Sequence, residues 1–432
     1  MELDTAKGVR DIDSQDMIYR EEIVATLQKI FSRYGFLPLD TPIIERYDVL
    51  SAKFAAGEES DAMTEVYKLK DNGNRDLGLR FDLTVPLSRY IGMNARSLKM
   101  PFKRYQFGKV YRDAPIRAGR YREFTQCDVD IVGSKDVLSD VTCIKIAIDA
   151  YKELGLDVVI QVNNRKFLTS LITANGIEES KVESLMMSVD KLDKLGRSGV
   201  VKDASTKGFN EDFVNKIIDL LSMSGTNEEK LDLFSNMLPN DEGLLNLKDL
   251  ISYFSDEQIS FTPTLARGLG YYTGTVFEVY AKGNENIGAI GGGGRYDNLI
   301  NGYLESAGIN TDKKYPSVGI SFGLDRMVDV LKKLGKLKTV KSRTKVLVVS
   351  MNTKKYSFEI VSKLRDNGIN ADVDLMNRNL KKNLSFANDY GIPFVIIVGE
   401  NEESVGKVTL KDLSSGENRL LSLDEVIILL KK

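Results

Sequence analysis

Two segments, Phe102 to Arg112 and Phe124 to Val132, read as β-strands joined by a loop of Arg and Gly residues. That pattern is a long antiparallel hairpin, and it commits the chain to a core built on a sheet. Period two then sorts the second strand: Gln126, Asp128 and Asp130 share one face, and Cys127, Val129 and Ile131 share the other. A strand face carrying three polar side chains must line water or a ligand.

The surroundings of the hairpin fill out a mixed architecture. DSQDMIYREEIVATLQKIFSRYGF begins with the capping residues Asp13 and Ser14, places Ile23, Leu27, Ile30 and Phe31 on one helical face, and stops at Gly35. FLPLDTPIIERYDVL, broken by Pro38 and Pro42, suits an edge strand or an interface. Leu77 to Phe81 reads as a strand, with Thr84 as the N-cap and Pro86 in the first turn of a helix over LSRYI. Residues 168–243 carry short helical patterns between Ser, Asn and Gly clusters and read as a helical insertion. Strand patterning returns in ISFTPTLARGLGYYTGTVFEVY. The Lys-rich stretch KKLGKLKTVKSRTK has the composition of a linker, set at 334–344. Beyond it KVLVVSM, a helix over Tyr356–Asn367, a strand at Ala371–Leu375, a helix at Leu380–Tyr390 and PFVIIVG alternate as a small, mostly parallel α/β domain over 345–432. Two to four domains fit 432 residues at roughly 100–200 residues each.

Composition removes whole classes of chemistry. The chain contains no histidine, which excludes a Ser-His-Asp hydrolase, a kinase with an H-R-D loop, an H-E-x-x-H protease and a synthetase that relies on a HIGH-type motif. What remains is chemistry by positioning and charge, the mode that suits phosphoryl and adenylyl transfer. Only Cys127 and Cys143 are present, without the paired spacing of a zinc site, so no metal is expected on protein histidine or cysteine. No long apolar run and no signal-like start occur, so a cytoplasmic protein without membrane insertion is expected. Net charge is −2, yet Lys99, Lys103, Arg104, Lys109, Arg112, Arg117, Arg120 and Arg122 face one acid, Asp113, within a single window. That window can neutralise phosphates.

Single residues are ambiguous alone. Gly291–Gly294, followed by Arg295 and Tyr296, tempts as a phosphate loop, but neither G-x-x-x-x-G-K-[ST] nor G-x-G-x-x-G is present. The plain alternative is a tight strand-to-helix turn. Arg112, Arg267 and Arg326 each stand beside a strand end or Gly-rich turn; an Arg is usually solvated surface, but three of them suit a triphosphate and a carboxylate. Asp82 and Asp130 are either salt-bridge partners or receptors for a cation. Tyr271, Tyr272 and Tyr296 would ordinarily be core.

KGVRDI, LRFDLTVPLSRY, KRYQFGKVYRDAPIRAGRYREFTQCDVDIVG, LARGLGYYTGTVFE, GGGGRYDNL and VGISFGLDR together resemble the histidyl-tRNA synthetase family, in order, across the catalytic portion. LRFDLTVP and AGRYREFTQCD look most like its archaeal and eukaryotic branch. The resemblance implies an α+β class II synthetase: an antiparallel sheet of six or seven strands with flanking helices, split as 1–167 and 244–333 around the insertion, and a C-terminal mixed α/β anticodon-binding domain. It implies a homodimer that uses L-histidine, ATP with substrate-bound Mg2+, and tRNA(His). By the same resemblance Asp82, Thr84 and Gln126 hold the α-amino group, and Arg267 the carboxylate and α-phosphate. Asp130, Tyr272 and Tyr296, with Tyr271 beside them, form the imidazole pocket, and Arg112 and Arg326 bind the α- and γ-phosphates. One departure stands out: Gly270 occupies a position where many members carry Asp, which removes a carboxylate close to Arg267.

Three alternatives differ from this at identifiable features. A histidine-binding regulatory subunit of ATP phosphoribosyltransferase should lack the C-terminal domain, and a prolyl, threonyl or glycyl synthetase would not call for paired tyrosines with Asp130. A pure tRNA-binding module would not need an acid-lined strand. For the ligase, Arg267→Ala is expected to slow adenylate formation roughly 10²–10³-fold and leave tRNA binding largely unchanged; single-turnover activation and a tRNA-binding titration check this.

Overall fold

The computed structural model describes residues 3–52, 65–116, 121–266, 270–337 and 340–431. Two compact units emerge, Met1–Asp11 with Arg20–Lys336, and Ile12–Tyr19 with Leu337–Lys432. Strands of the first are β1 (Leu37–Pro38), β2 (Ile44–Arg46), β3 (Lys68–Lys70), β4 (Asp76–Leu79), β5 (Phe102–Tyr111), β6 (Glu123–Val132), β7 (Val158–Asn164), β8 (Ile259–Phe261), β9 (Thr275–Ala281), β10 (Gly291–Arg295) and β11 (Ser317–Gly323). Eight of them make one sheet in the order β1-β5-β6-β11-β10-β9-β7-β8. It is antiparallel through its centre, and only its edge pairs, β1 with β5 and β7 with β8, are parallel. The sheet is thus wider than the expected one because of two short edge strands.

The hairpin forms as its alternation requires, with Phe102 opposite Val132 and Tyr111 opposite Glu123. Pro38 sits on an edge strand, where its missing N–H costs no ladder bond. The expected strand at 77–81 is β4, but it belongs to a separate sheet, β2-β4-β3. Thr84 opens the helix Thr84–Asn94 without capping it: the side-chain cap comes from Asp82, whose Oδ1 accepts the Val85 N–H at 3.0 Å.

The Gly run is neither a phosphate loop nor a turn. It is β10, paired on both sides with β9 and β11 near the middle of the large sheet. Local rules read Gly as a breaker, whereas here packing demands it. A Cβ on Gly293 would lie 2.0 Å from the Gly319 carbonyl oxygen, and one on Gly294 would lie 2.7 Å from the Thr275 carbonyl oxygen.

Between β7 and β8 run six helices, Arg165–Ala174, Glu179–Val189, Leu192–Thr206, Glu211–Leu221, Asn227–Met237 and Glu242–Ile251. The polar clusters that punctuate this stretch are its caps. Asn164, Asn210 and Asp241 each accept a backbone N–H of the first turn, and Thr226 with Glu229 closes a reciprocal capping box. Phe167, Phe234 and Phe261 pack edge-on beneath them.

In the second unit β12 (Val346–Ser350), β13 (Ala371–Val373), β14 (Phe394–Val398), β15 (Lys407–Asp412) and β16 (Asn418–Ser422) form a sheet ordered β13-β12-β14-β15-β16. The first three are parallel, and the helices Lys354–Asp366 and Leu380–Asp389 lie between them in sequence. Val346 and Val348 of β12 pack with Ile360 and Leu364, while Leu347 and Val349 pack with Ala387 and Ile392. Burial on both faces is why VLVV is apolar throughout instead of alternating. No helix of the described residues is long and apolar enough to cross a membrane.

Two glycines should respond in opposite directions. Gly293→Ala, facing backbone that cannot yield, is expected to destabilise the protein by roughly 1–3 kcal/mol. Gly92→Ala, in the helix Thr84–Asn94 with its Cβ at an ordinary 3.8 Å from Leu304, is expected to be neutral or stabilising by about 0.5–1 kcal/mol. Urea midpoints of the two variants check both.

Candidate active site

Across β11 from Gln126, Asp128 and Asp130 stand Gly323, Ser321 and Gly319. Glycine opposite Asp130 is a steric requirement, since a Cβ on Gly319 would fall 2.0 Å from the Asp130 Oδ1. A Cβ on Gly294 would fall 2.9 Å from the Tyr272 ring. The bare strands therefore leave room for a carboxylate and an aromatic ring on one face of the sheet.

Within that space the contacts are specific. The Tyr296 hydroxyl donates to Asp130 Oδ1, and Arg104, opposite Asp130 on β5, brings Nη2 to 2.8 Å from Oδ2. Arg104 has no exposure and also donates to the Leu83 carbonyl at 3.1 Å. Tyr271 donates to Asp82 Oδ2 at 3.3 Å, shares a side-chain hydrogen bond with Thr84, and packs edge-on against Tyr272 and Tyr296 at 5.0 and 5.8 Å between centroids. Gln126 Nε2 donates to Ser321 Oγ at 2.8 Å, and the Ser321 hydroxyl in turn serves Asp128.

Three carboxylates are thus buried beside the Arg104 guanidinium, and the buried Arg80 also acts on Asp128. Burial pushes Asp82 up to about 6, opposed by the Val85 N–H and Arg112, and pushes Asp128 up to about 7, opposed by Arg104 and reinforced by Asp130. Asp130 is raised for the same reason, with Arg104 and Tyr296 pulling it back. An enclosure with more acid than base favours a cation or a strong hydrogen-bond donor.

A cavity of about 420 Å3 opens beside Gln126, over Gly291 and Gly292, with Arg112, Phe124, Glu278, Asp325 and Arg326 among its walls. Arg112 donates through Nε to the Phe81 carbonyl at 3.1 Å, and its guanidinium lies 5.2 Å from the Phe124 ring centroid. Arg326 is exposed in the first turn of the helix Leu324–Lys333 and holds the Ala289 carbonyl. Two guanidiniums, an aromatic ring and a side-chain-free floor suit a flat base carrying phosphates. Asp325 fixes this wall: Oδ1 accepts from Arg10 at 2.9 Å and from Arg20, and Oδ2 accepts the Thr125 N–H at 2.9 Å. Arg10 also lies over the Tyr121 ring, 3.8 Å from its centroid. KGVRDI thereby finds a structural task.

Of the residues expected from sequence, Asp82, Thr84, Gln126, Asp130, Tyr271, Tyr272 and Tyr296 gather on one pocket, and Arg112 and Arg326 flank the cavity that shares Gln126 with it. Arg267, like Arg117 and Arg120 of the basic window, lies outside the described residues. The tyrosines are core and pocket at once, since Tyr271 and Tyr296 pack with Phe81, Val85 and Leu299. Arg295 is structural: it pairs with Asp140 and donates to the Ser134 carbonyl at 2.8 Å. Sequence reasoning missed Phe124, Glu278 and Asp325, gave Arg104 to phosphates where it pairs with Asp130, and passed over Asp128 although its alternation with Gln126 and Asp130 marked it.

Residues 8–327 match the family model described as histidyl-tRNA synthetase, and 345–432 match that of the anticodon binding domain. The histidine–tRNA ligase 1 of Bacillus cereus is 37% identical over 423 residues, covering 96% of this chain and 94% of the relative. The histidine–tRNA ligase of Bacteroides fragilis is 38% identical over 459 residues, covering 99% and 98%. The crystal structure of histidyl-tRNA synthetase from a Nostoc species is similar with a TM-score of 0.84 at 31% identity, covering 100% of this chain and 99% of that one.

The raised carboxyls carry a pH signature. A carboxyl whose folded-state pKa exceeds its unfolded value holds more protons folded than unfolded, so its stabilising contribution is complete below the unfolded pKa and is lost as pH rises through the folded one. For Asp128 that window runs from 3.8 to about 7. Asp128→Asn is therefore expected to gain stability relative to the parent protein as pH rises from about 4 to 8, by roughly 1–4 kcal/mol in all. Urea unfolding of both proteins across that range checks the sign.

Proposed function

We propose, because the chain belongs to the histidyl-tRNA synthetase family, that it activates L-histidine with ATP and transfers it to the 3′-terminal adenosine of tRNA(His). The observation that carries this is one residue, Gln126, standing between an acid-lined tyrosine pocket and a cavity flanked by two guanidiniums. Amino acid and nucleotide then meet without any protein histidine.

In this reading Asp82, Thr84 and Gln126 hold the α-ammonium, Asp130, Tyr271, Tyr272 and Tyr296 enclose the imidazole, and Arg267 holds the carboxylate. Arg112 and Arg326 bind the ATP α- and γ-phosphates. The histidine carboxylate oxygen forms a bond to the α-phosphorus in line as the bond to the bridging oxygen of pyrophosphate breaks, and guanidinium charge offsets what develops on the phosphoryl oxygens. Mg2+, arriving with ATP, would neutralise the departing pyrophosphate; Glu278, on the cavity wall and accepting from the Tyr280 hydroxyl, fits it as an oxygen ligand. The adenylate is then attacked by the terminal ribose hydroxyl of tRNA, and AMP leaves.

The same proposal assigns catalysis to 1–167 and 244–333, an accessory tRNA role to 168–243, and anticodon reading to 345–432, with a homodimer in the cytoplasm as the working form. The archaeal- and eukaryotic-like branch is supported by the segments LRFDLTVP and AGRYREFTQCD, while the relatives named above are bacterial. A histidine-sensing regulatory subunit of ATP phosphoribosyltransferase is the alternative, and the match over 345–432 favours the ligase.

ATP–pyrophosphate exchange run with each of the twenty amino acids and Mg2+ tests the proposal. Exchange with histidine alone, followed by charging of tRNA(His), is the expected outcome. Histidine binding without exchange would transfer the assignment to the regulatory alternative.

A further inference from the structure

Arg10 does not line the cavity that Arg112 and Arg326 flank, but it contacts two side chains that do, Tyr121 and Asp325. Its Nη1 donates to the Tyr121 hydroxyl at 2.8 Å and its Nη2 to Asp325 Oδ1 at 2.9 Å, while the guanidinium lies over the Tyr121 ring. One planar fork can make both bonds and the ring contact together, which a single ammonium cannot. Tyr121 closes the loop between β5 and β6, and this end of the loop is tied at the backbone as well. The Arg122 N–H donates to the Gly8 carbonyl at 2.8 Å, and the Arg122 carbonyl accepts the Arg112 N–H at 2.9 Å. Gly8 has a φ of +85°, and a Cβ there would fall 2.7 Å from the Arg122 side chain. On the other side Asp325 stands in the first turn of the helix Leu324–Lys333, next to Arg326. Residues 8–10 thus join two walls of the cavity that belong to distant parts of the chain.

We propose that Arg10 is a positioning residue for the nucleotide: by holding Tyr121 and Asp325 at once it fixes the loop between β5 and β6 against the helix that presents Arg326, and it touches no substrate itself. The inference rests on the assignment of the cavity to ATP. When Arg10 is removed, Asp325 keeps Arg20 and the Thr125 N–H, so the ion cluster persists and only its tie to the loop is lost. A misplacement of about an ångström between a charged group and the atom it serves can cost roughly a hundredfold. Tyr121 and Asp325, the described partners of Arg10, are not members of the acidic pocket, so the effect falls on the nucleotide and spares the amino acid.

The test is calorimetric binding of ATP with Mg2+, and separately of histidine, to the parent protein, Arg10→Ala, Arg10→Lys, Tyr121→Phe and the double variant Arg10→Ala/Tyr121→Phe, together with steady-state pyrophosphate exchange. Arg10→Ala is expected to raise the ATP Kd and KM roughly ten- to a hundredfold while the histidine Kd stays parental. Arg10→Lys keeps a charge for Asp325 without the fork and should recover part of the loss. Tyr121→Phe removes the hydroxyl and keeps the ring, so its loss should be smaller than that of Arg10→Ala and should add nothing in the double variant. Parental ATP affinity in Arg10→Ala overturns the proposal. So do losses that multiply in the double variant, which would make the two side chains independent, and a histidine Kd that rises in step with that of ATP, which would make Arg10 a general support of the fold. A parent protein that binds ATP but exchanges pyrophosphate with no amino acid would remove the ligase assignment, and the ATP affinities of the variants would still decide the role of Arg10. A parent that binds no ATP overturns both.

Discussion

Arg104 is a guanidinium with no exposure, and the interior of the large sheet depends on it. Asp82, Asp128 and Asp130 are all buried, and like charges at that depth repel strongly. Arg104 opposes the upward push on all three, pairs with Asp130, and holds the Leu83 carbonyl just ahead of the helix Thr84–Asn94. One side chain therefore ties the acidic strand β6 to the loop that carries Asp82 and Thr84. The net effect is an enclosure biased towards a cation and towards N–H donors.

Backbone without side chains makes the space that this charge arrangement occupies. Gly291–Gly294 on β10 and Gly319 on β11 lie flat, so the Asp130 carboxylate and the Tyr272 ring sit where Cβ atoms would otherwise be. Gly291 and Gly292 of the same strand floor the cavity beside Gln126. Glycine in a strand gives up packing and entropy. Here the sheet recovers order from pairing on both sides, with β9 and β11.

The two halves of the site are registered by a second buried ion cluster. Asp325 adjoins Arg326 and binds Arg10, Arg20 and the Thr125 amide. Strand β6 carries Phe124 and Gln126 on either side of that amide, so the helix bearing Arg326 and the strand bearing the pocket residues move as one. Catalysis by positioning demands such rigidity, because charge placed an ångström away loses much of its effect on a developing oxyanion.

Signals of short range were sufficient for much of this. Alternation defined the hairpin and put Gln126, Asp128 and Asp130 on one face; Ser, Asn and Gly clusters punctuated the helical insertion; and the missing histidines excluded most catalytic classes before any fold was known. Six segments in order carried the family and most of the pocket. What the chain could not disclose is which strands become neighbours. Gly293 reads as a turn until Gly319 is placed against it, Thr84 as a cap until Asp82 turns inward, and Arg104 as one more phosphate-binding cation until Asp130 faces it. Asp128 takes the Ser321 hydroxyl where Asp130 takes the Tyr296 hydroxyl and the Arg104 guanidinium. These distinctions arise from contacts between residues tens to hundreds apart, where burial sets the cost of each charge and close packing sets the room for each Cβ, and both exist only once the sheet has formed.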